Sequence, residues 1–326
     1  MLEEAELCFP EFLNSSCKRL TIPHFEVVLM YIVLSSISVL TAFLNLLLIV
    51  SISHFRQLHT FTNVLLLSLA FSDFIMGFLL FFQIYLNDCW YLGNIMCALI
   101  TVLGFTVAST SVQTMVLISI DRYIAICDPL HYPTKVTLKR TQVSVSVSWT
   151  CSLVYSTVIL KENLEQPGRF NSCVGECTFE IGLTGFIVDL LLVFLLPITI
   201  IIILYVTVFV VAVSQIRAMR SHVAAVTHQR SGKGKPKKSE IKAARTLGVV
   251  IIVFLLCLCP YFCVSVLSPE SIFSSLSGAY LLILYYVNSC LNPLIYALFY
   301  PWFRKSIKII VTLKILKSGS SDANLL

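Results

Sequence analysis

Residues 181–216 read IGLTGFIVDLLLVFLLPITIIIILYVTVFVVAVSQI, a run of 36 residues in which Asp189 is the single charged side chain. A helix that crosses the hydrocarbon core of a bilayer needs about 20 apolar residues, so this run is long enough for one. Its apolar residues are continuous and do not alternate with polar residues, as they would in a strand of a membrane β-barrel. The run therefore predicts a transmembrane helix.

Six further runs of the same kind lie along the chain. They cover residues 27–52, 61–86, 89–120, 141–160, 246–269 and 271–303. Asp73 is the one charged residue inside these six runs. Hydrophobic residues make up 57% of the chain and charged residues 12%, and the mean hydropathy is +0.89. This composition excludes a soluble globular protein, a disordered chain and a coiled coil. We predict an all-α membrane protein with a seven-transmembrane helix bundle.

Lysine and arginine are concentrated in alternate loops, which predicts the orientation of the bundle. With the N-terminus outside, 19 of the 23 basic residues are inside and 11 of the 17 acidic residues are outside. Cytoplasmic loops carry such a basic excess. The predicted organisation is an extracellular segment (1–25), the bundle (26–303, with an inner loop at about 214–240), and a short amphipathic helix 8 with a tail (304–326). The basic inner side predicts contact with membrane lipid and not with nucleic acid.

Twelve cysteines divide equally between the predicted spans and the outer side. Disulfides persist in oxidising surroundings such as the cell exterior. The six outer cysteines are Cys8, Cys17, Cys89, Cys97, Cys173 and Cys177. Their spacing alone does not assign the pairs. A sequon begins at Asn14 on the same side, where we expect N-glycosylation.

Several short motifs occupy particular spans. The third span ends on DRY at 121–123, and the seventh contains NPLIY at 292–296. The fourth span has Trp149, and the sixth has Phe254 and Pro260. Together and in this order, the motifs resemble the rhodopsin-like (class A) G-protein-coupled receptors over residues 27–313. The seventh span has no lysine, so a retinal Schiff base, and with it an opsin, is excluded.

Two longer segments resemble one group within that class. The segment NSCLNPLIYALFYPWF at 288–303 is similar to the signature of trace amine-associated receptors, and SEIKAARTLGVV at 239–250 is similar to their sixth-helix entry. The resemblance implies an olfactory-type receptor, not an enzyme, in the plasma membrane of olfactory neuron cilia. It would bind a small protonated amine and couple through a heterotrimeric stimulatory G protein to raise cAMP. It implies no cofactor beyond an allosteric sodium ion.

The resemblance also implies two disulfides and the sodium site. Cys97 would bond Cys177, while Cys173 would bond an N-terminal cysteine, for which it favours Cys17 over Cys8. The family's sodium site matches Asp73, Ser111, Asn288, Ser289 and Asn292 in this chain. Hard oxygen ligands of this kind suit such a cation. The alternative is a hydrated polar cluster without an ion.

Asp189 is the acid expected to bind the ligand. It lies eight residues before Pro197, hence about 12 Å nearer the outside at 1.5 Å per residue. Aminergic receptors place their ammonium-binding Asp on the third helix, where this chain has Gly104. Some fish members of the trace-amine family are similar in carrying the acid on the fifth helix, and Asp189 matches that position. The amine would enter reversed, with its tail near Gly104. Alternatively, Asp189 is neutral or bonded to a neighbouring helix.

An aromatic wall accompanies this acid. By position, Tyr261, Phe262, Tyr285 and Tyr286 resemble the aromatic residues of aminergic pockets, and Tyr286 is favoured as ligand-facing. Aromatic faces attract cations by about 0.5–2 kcal/mol. Phe105 and Ala108 complete the predicted pocket on the third helix. One pocket acid favours a monoamine, since a diamine would need a second carboxylate from Glu176 or Glu180 of the outer loop.

The resemblance assigns the residues that switch the receptor. Arg122 would pair with Asp121 in the inactive state, beside Tyr123, and with Glu240 at the foot of the sixth helix. Further switch positions match Tyr205, Phe254, Leu258 and Tyr296. At Leu258 the family has a toggle Trp, so a mechanism that needs an indole rotamer change is in doubt.

Two rival functions are considered. A transporter or channel would need repeated halves, broken helices or several membrane acids along a path, and the chain has two such acids and no visible repeat. A class A receptor for a non-amine ligand is suggested by Gly104 and Leu258. Neutralising Asp189 distinguishes this second rival from an amine receptor.

Overall fold

Seven long helices and a shorter eighth run through the part of the chain that the structure describes. The computed structural model describes the backbone of residues 5–20, 25–86, 89–225, 238–267, 276–317 and 319–325. Side chains are described within these ranges except at 5, 19–20, 26–27, 215–225, 238–247, 265, 267, 276–280 and 282. The long helices form because a helix satisfies its own backbone hydrogen bonds in lipid.

The helices are numbered α1 to α8 in chain order. Their bounds are α1 Phe25–His54, α2 Phe61–Leu86, α3 Gly93–Cys127, α4 Leu138–Ile159, α5 in the three parts Leu183–Asp189, Leu190–Leu195 and Leu196–Ala225, α6 Lys238–Leu267, α7 Leu276–Phe299 and α8 Pro301–Val311. The middle part of α5 is π-helical. Single helical turns occur at Arg56–Leu58, Tyr132–Lys135, Lys161–Glu165, Lys314–Leu316 and Ser320–Asp322.

The apolar segments differ in length among the helices. Within the described residues, the segments long and apolar enough to cross a membrane are Val28–His54, Phe61–Leu86, Gly93–Cys127 and Leu183–Ser214. Shorter apolar segments occupy Gly248–Val264 in α6 and Ile283–Phe299 in α7. The helix α4 is less apolar because it places serines, among them Ser148, Ser152 and Ser156, at the buried side toward α3.

The helix α3 lies at the centre of the bundle. It packs against α2, α4 and α5, while α1 packs on α2 and α7, and α6 packs on α7. The core between these helices is largest in the inner half, where Met115, Ile118, Phe254 and Tyr296 are almost fully buried. Because α3 contacts so many neighbours, a change at its outer end can reach its inner end through packed side chains.

Several bounds differ from those predicted. The helix α3 begins at Gly93 and not at 89, because Cys89 and Trp90 are buried under the outer loops. It continues to Cys127, and α5 and α6 extend into the predicted loop at 214–240. The predicted seventh span ended at 303, but α8 already begins at Pro301. Apolar windows miss these helix ends because the ends carry polar residues.

The N-terminal segment adds a strand pair that the prediction of a purely helical chain lacks. Strands β1 (Ala5–Leu7) and β2 (Lys18–Leu20) pair antiparallel, with Glu6 opposite Arg19. Three-residue strands carry too little pattern to be recognised in the sequence. The fold is therefore a helix bundle with a small hairpin on its outer side.

Candidate functional site

Three disulfides join the N-terminal segment and the outer loops into a lid, which we define as residues 5–20, 89–92 and 171–180. Cys97 is bonded to Cys177, and Cys17 to Cys173. These pairs have the partners that the resemblance implied. The third pair joins Cys8 to Cys89 across 81 residues, and no sequence signal indicated it.

Backbone hydrogen bonds reinforce the lid. The Val174 amide donates to the Ser15 carbonyl at 2.7 Å, and the Trp90 amide to the Gly175 carbonyl at 2.8 Å. Gly175 has φ of +102°, and a Cβ there would lie 3.0 Å from the Phe9 ring. The lid therefore requires glycine at this position. Asn14 of the sequon is exposed on the lid.

Asp189 lies beside the π-helical segment of α5. It ends the first part of α5, and the segment Leu190–Leu195 follows it directly. Since π-helical hydrogen bonds join residues five apart, Asp189 and Phe194 lie about one turn from each other. Phe194 is buried in the bundle, where its ring stacks on Phe262 at 4.3 Å between centroids. The segment thus turns the acid and this ring toward the interior.

A single hydrogen bond holds the Asp189 carboxylate. The Tyr155 hydroxyl of α4 donates to its Oδ1 atom. Among the described residues, Oδ2 has no hydrogen-bond partner and no basic side chain pairs with the carboxylate. The side chain is half-buried. A contact to a neighbouring helix was the alternative to ligand binding, and the structure contains that contact, but it occupies one oxygen only.

The predicted aromatic wall is present, although its members have different partners. The phenols of Tyr261 and Tyr285 lie within electrostatic range of Asp189, and their ring centroids are 5.3 Å apart. Tyr261 also contacts Phe262 edge-on at 5.6 Å. The Tyr286 hydroxyl instead donates to Gln83 of α2. Tyr286 thus has its hydrogen-bond partner on α2, and its contact with a ligand stays a prediction.

Three residues of the predicted pocket, Gly104, Phe105 and Ala108, lie on α3. A Cβ built on Gly104 would meet only the Leu79 side chain, at 3.8 Å, so the position has room. Phe105 packs edge-on against Phe179 of the outer loop at 5.5 Å. Ala108 packs against the small cluster that contains Val107. Helix α3 thus offers a smooth apolar surface and no charge here.

A small crevice of about 10 Å³ lies between the outer end of α3 and the outer loop, and Asp189 is not among its lining residues. Asn94, Thr101, Asn163 and Phe179 contribute to its walls. The residues that line this crevice carry no charge.

Glu176 of the outer loop accepts a hydrogen bond from the Ser172 amide at 2.5 Å, so its carboxylate is engaged within the loop.

Asp73, the acid of the predicted sodium site, is 1% exposed. The Asn292 amide donates to Asp73 Oδ2 at 2.9 Å. Ser111, Asn288 and Ser289 are buried as well. The hydrogen bond from Asn292 joins α7 to α2 at this carboxylate, and the sodium ion itself stays a prediction.

Several buried oxygens of the bundle lack hydrogen-bond partners among the described residues. They are Thr41 Oγ1, Asn45 Oδ1, Thr110 Oγ1, Asn288 Oδ1, Asn292 Oδ1 and Tyr296 Oη. Buried polar atoms are normally satisfied by protein, water or an ion. Asn292 Oδ1 belongs to the side chain that bonds the Asp73 carboxylate, and carboxylate and amide oxygens suit a hard cation such as sodium. The chemistry of these two residues therefore fits the predicted ion.

The inner end of α3 is held by a compact hydrogen-bond network. Asp121 is 4% exposed and forms an ion pair with Arg122. Its carboxylate also accepts from Thr62 at 2.9 Å and from Tyr132 at 2.8 Å, two partners that sequence reasoning missed. Burial and the Asp121 charge raise the pKa of Tyr132 to about 12, so this phenol remains a donor. Glu240, the predicted second partner of Arg122, lies outside the described side chains.

The remaining switch residues lie close together in the core. Phe254 and Leu258 are buried in one hydrophobic cluster with Tyr296. Tyr205 of α5 packs against α6 at Gly248, where a Cβ would lie 1.4 Å from the Tyr205 hydroxyl oxygen. Tyr123 is about one-third exposed at the inner surface. Phe254, Leu258 and Tyr296 thus pack together between α6 and α7, and Tyr205 packs against the same cluster.

Comparisons with known proteins agree with this architecture. Residues 44–296 match the family "7 transmembrane receptor (rhodopsin family)". Trace amine-associated receptor 13c of Danio rerio is 37% identical, over 99% of this chain and 97% of its own length. Trace amine-associated receptor 6 of Pan troglodytes is 38% identical over 100% and 97%, and receptor 8a of Rattus norvegicus is 36% identical over 98% and 96%.

Proposed function

The chain belongs to the trace amine-associated receptors, within the rhodopsin family of seven-transmembrane receptors, and from this premise we propose that it binds a small protonated amine at Asp189. It is a multi-pass receptor of the plasma membrane and not an enzyme. We further propose that its N-terminus is outside, that it resides in olfactory cilia, and that it couples to a stimulatory G protein.

One observation supports the amine most directly. The half-buried Asp189 carboxylate lacks a basic partner among the described residues and keeps one oxygen open. A buried carboxylate without a counter-charge is costly, and a bound ammonium group removes that cost. Tyr261 and Tyr285, within electrostatic range, offer ring faces that attract cations. The proposal is therefore a cationic ligand whose head lies against α5.

The test is a cAMP assay of cells that express the receptor, with a panel of alkyl, aryl and polyamines. Asp189→Asn removes a charge-assisted hydrogen bond worth about 1.5–3 kcal/mol, which corresponds to a potency loss of roughly ten- to more than a hundredfold. Surface display of both forms is measured in parallel. Glu176→Gln, in the outer loop, is the matched control and should keep the response.

The outcomes separate the rival functions. If Asp189→Asn is displayed but silent, the helix-5 anchor is supported. If Asp189→Asn and the parent respond equally, Asp189 is not the anchor. If Glu176→Gln alone is silent, the ligand binds at the lid. A parent receptor that responds to no amine favours a class A receptor for a non-amine ligand.

We also propose a sodium ion at the Asp73 cluster and a switch at the inner end. The oxygens of Ser111, Asn288, Ser289 and Asn292 would complete the shell of ligands around the ion, together with the Asp73 carboxylate.

At the inner end, release of Arg122 from Asp121 would accompany coupling to the G protein. In this scheme Tyr205 and Tyr296 turn toward each other when α6 moves, and Phe254 and Leu258 transmit the change.

A further inference from the structure

The last described residues of the chain fold back against the inner side of the bundle. We call residues 319–325 the tail segment and residues 55–60 the α1–α2 turn. Leu325 of the tail segment is 1% exposed and belongs to the same hydrophobic cluster as Leu58 of the turn. Its amide donates to Gln57 Oε1 at 3.2 Å. The tail segment is therefore docked on the turn.

Polar contacts accompany the buried leucine. His54 Nε2 lies 2.9 Å from the Ser320 hydroxyl oxygen, and Arg56 pairs with Asp322 at 3.6 Å. Asp322 is the single charged residue of the tail segment. An exposed ion pair contributes little, whereas burial of a leucine side chain contributes strongly. The leucine therefore provides most of the affinity, and the charges favour one orientation of the segment.

The α1–α2 turn is connected to the ion pair at the inner end of α3. The Asn63 amide donates to the Leu58 carbonyl at 2.8 Å, which ties the first turn of α2 to the α1–α2 turn. The neighbouring Thr62 hydroxyl donates to Asp121 at 2.9 Å and accepts from Arg122. A segment that stabilises the α1–α2 turn therefore also stabilises the groups that hold Arg122.

We propose that the α1–α2 turn is a docking surface for the chain's own tail segment, and that the docked segment is autoinhibitory. It keeps the first turn of α2 in the position in which Thr62 holds the Asp121–Arg122 pair. A contact that is present in only one of two states shifts the equilibrium toward that state. Release of the tail segment therefore loosens α2 at this end and raises basal signalling. The signalling readout of this inference rests on the proposed coupling to a stimulatory G protein.

The test variant is Leu325→Asp, which places a charge in an apolar site and should undock the tail segment. The matched control is Leu316→Asp, because Leu316 belongs to the same tail and is 80% exposed. Amide hydrogen exchange of the purified full receptor is measured at residues 319–325 and 58–64. Basal cAMP is measured in cells at equal surface display.

We expect faster exchange in both ranges for Leu325→Asp. Its basal cAMP should be at least about fivefold higher than in the parent, which is the lower end of typical coupling between two sites. The control Leu316→Asp should match the parent in both measurements.

A charge swap tests the same contact without changing the leucine. Asp322→Arg places two basic side chains together and should raise basal cAMP in the same direction. The double variant Asp322→Arg with Arg56→Asp restores an opposite pair and should return basal cAMP to the parent level.

The outcomes separate docking from inhibition. Equal exchange at 319–325 in Leu325→Asp and the parent would overturn the docking. Faster exchange there, with unchanged exchange at 58–64 or without a rise in basal cAMP, would overturn the autoinhibitory role. A receptor that gives no cAMP with any amine or in any variant refutes the proposed coupling instead, and the exchange at 58–64 then decides whether the tail segment restrains α2.

Discussion

Gly248 of α6 and Tyr205 of α5 are in very close contact. A Cβ at 248 would lie 1.4 Å from the Tyr205 hydroxyl oxygen and 2.3 Å from its ring carbon Cζ. Non-bonded atoms cannot approach each other so closely. Tyr205 therefore occupies this position only because residue 248 is glycine. The contact holds the inner half of α6 against α5.

Gly248→Ala should loosen this arrangement. Overpacking of this kind costs about 1–3 kcal/mol, which exceeds the gain of about 1 kcal/mol from replacing glycine by alanine inside a helix. We expect Tyr205 to be displaced, α6 to shift outward and basal cAMP to rise. Basal cAMP and the unfolding temperature of the purified receptor measure the effect.

Gly182→Ala is the control, because no atom lies within 4 Å of a Cβ at that position. It should change neither the basal signal nor the unfolding temperature. Unchanged basal cAMP in Gly248→Ala, with normal display, would show that this contact does not restrain α6.

At the level of elements, the turn after α3 is stabilised by an exposed ion pair network. Lys135 donates to Asp128 at 2.8 Å, and His131 lies 2.7 Å from the other carboxylate oxygen. The hydrogen bonds from Lys135 and His131 lower the pKa of Asp128 to about 2. The network thus fixes the one-turn helix Tyr132–Lys135, from which Tyr132 reaches Asp121.

The lowered pKa makes this turn sensitive to acid. Because the folded pKa lies below the unfolded value of 3.8, Asp128 contributes stability above about pH 4. That contribution is lost as the pH falls toward 2. Unfolding temperatures of the detergent-solubilised receptor at pH 5 should therefore be lower for Asp128→Asn than for the parent. The difference should be much smaller at pH 2, where the Asp128 carboxyl is about half protonated, and an undiminished difference there would contradict the assignment.

The sequence predicted which helices form better than it predicted where they begin and where their geometry is irregular. Apolar runs indicate the spans because lipid demands long apolar helices, and this holds for α2 and α5 alike. The start of α3 was predicted too early in the chain. Cys89 and Trp90 are apolar, but they are buried in the lid and do not belong to the membrane span. The π-helical segment Leu190–Leu195 was missed, since its residues have no signature that separates them from an α-helix.

At the candidate site, the sequence predicted the residues better than it predicted their contacts. Resemblance placed Asp189 in the interior, but only the fold shows which neighbour reaches it. Tyr155 is 34 residues away in sequence, and nothing in its local context marks it as a partner of an acid. The hydrogen bond from Tyr286 to Gln83 of α2 was missed for the same reason, because the two residues are 203 positions apart in the sequence.

At the scale of the whole molecule, the polar cluster around Asp73 joins α1, α2 and α7. Asn45 of α1 donates to the Ser289 carbonyl of α7 at 3.0 Å, and Asn292 to Asp73 at 2.9 Å. A cation bound here would therefore stabilise the bundle as a unit. With sodium at tenfold excess over its Kd, the expected gain in unfolding free energy is about 1.4 kcal/mol.

The measurement compares unfolding temperatures in NaCl and in KCl at equal ionic strength. The parent should be more stable in NaCl, and Asp73→Asn should lose the difference between the two salts. Asp322→Asn, an exposed acid far from the cluster, should behave as the parent. Equal stability of the parent in both salts would indicate a hydrated polar cluster without sodium.

The lid has a consequence for proteolysis. Residues 9–16 form a loop between two anchors, since Cys8 is tied to Cys89 and Cys17 to Cys173. Phe12 and Leu13 are 49% and 75% exposed, so a chymotrypsin-like protease can reach this loop. A cut there leaves both new ends covalently attached to the bundle. The nicked receptor would remain one particle until a thiol reductant separated the N-terminal peptide from the bundle.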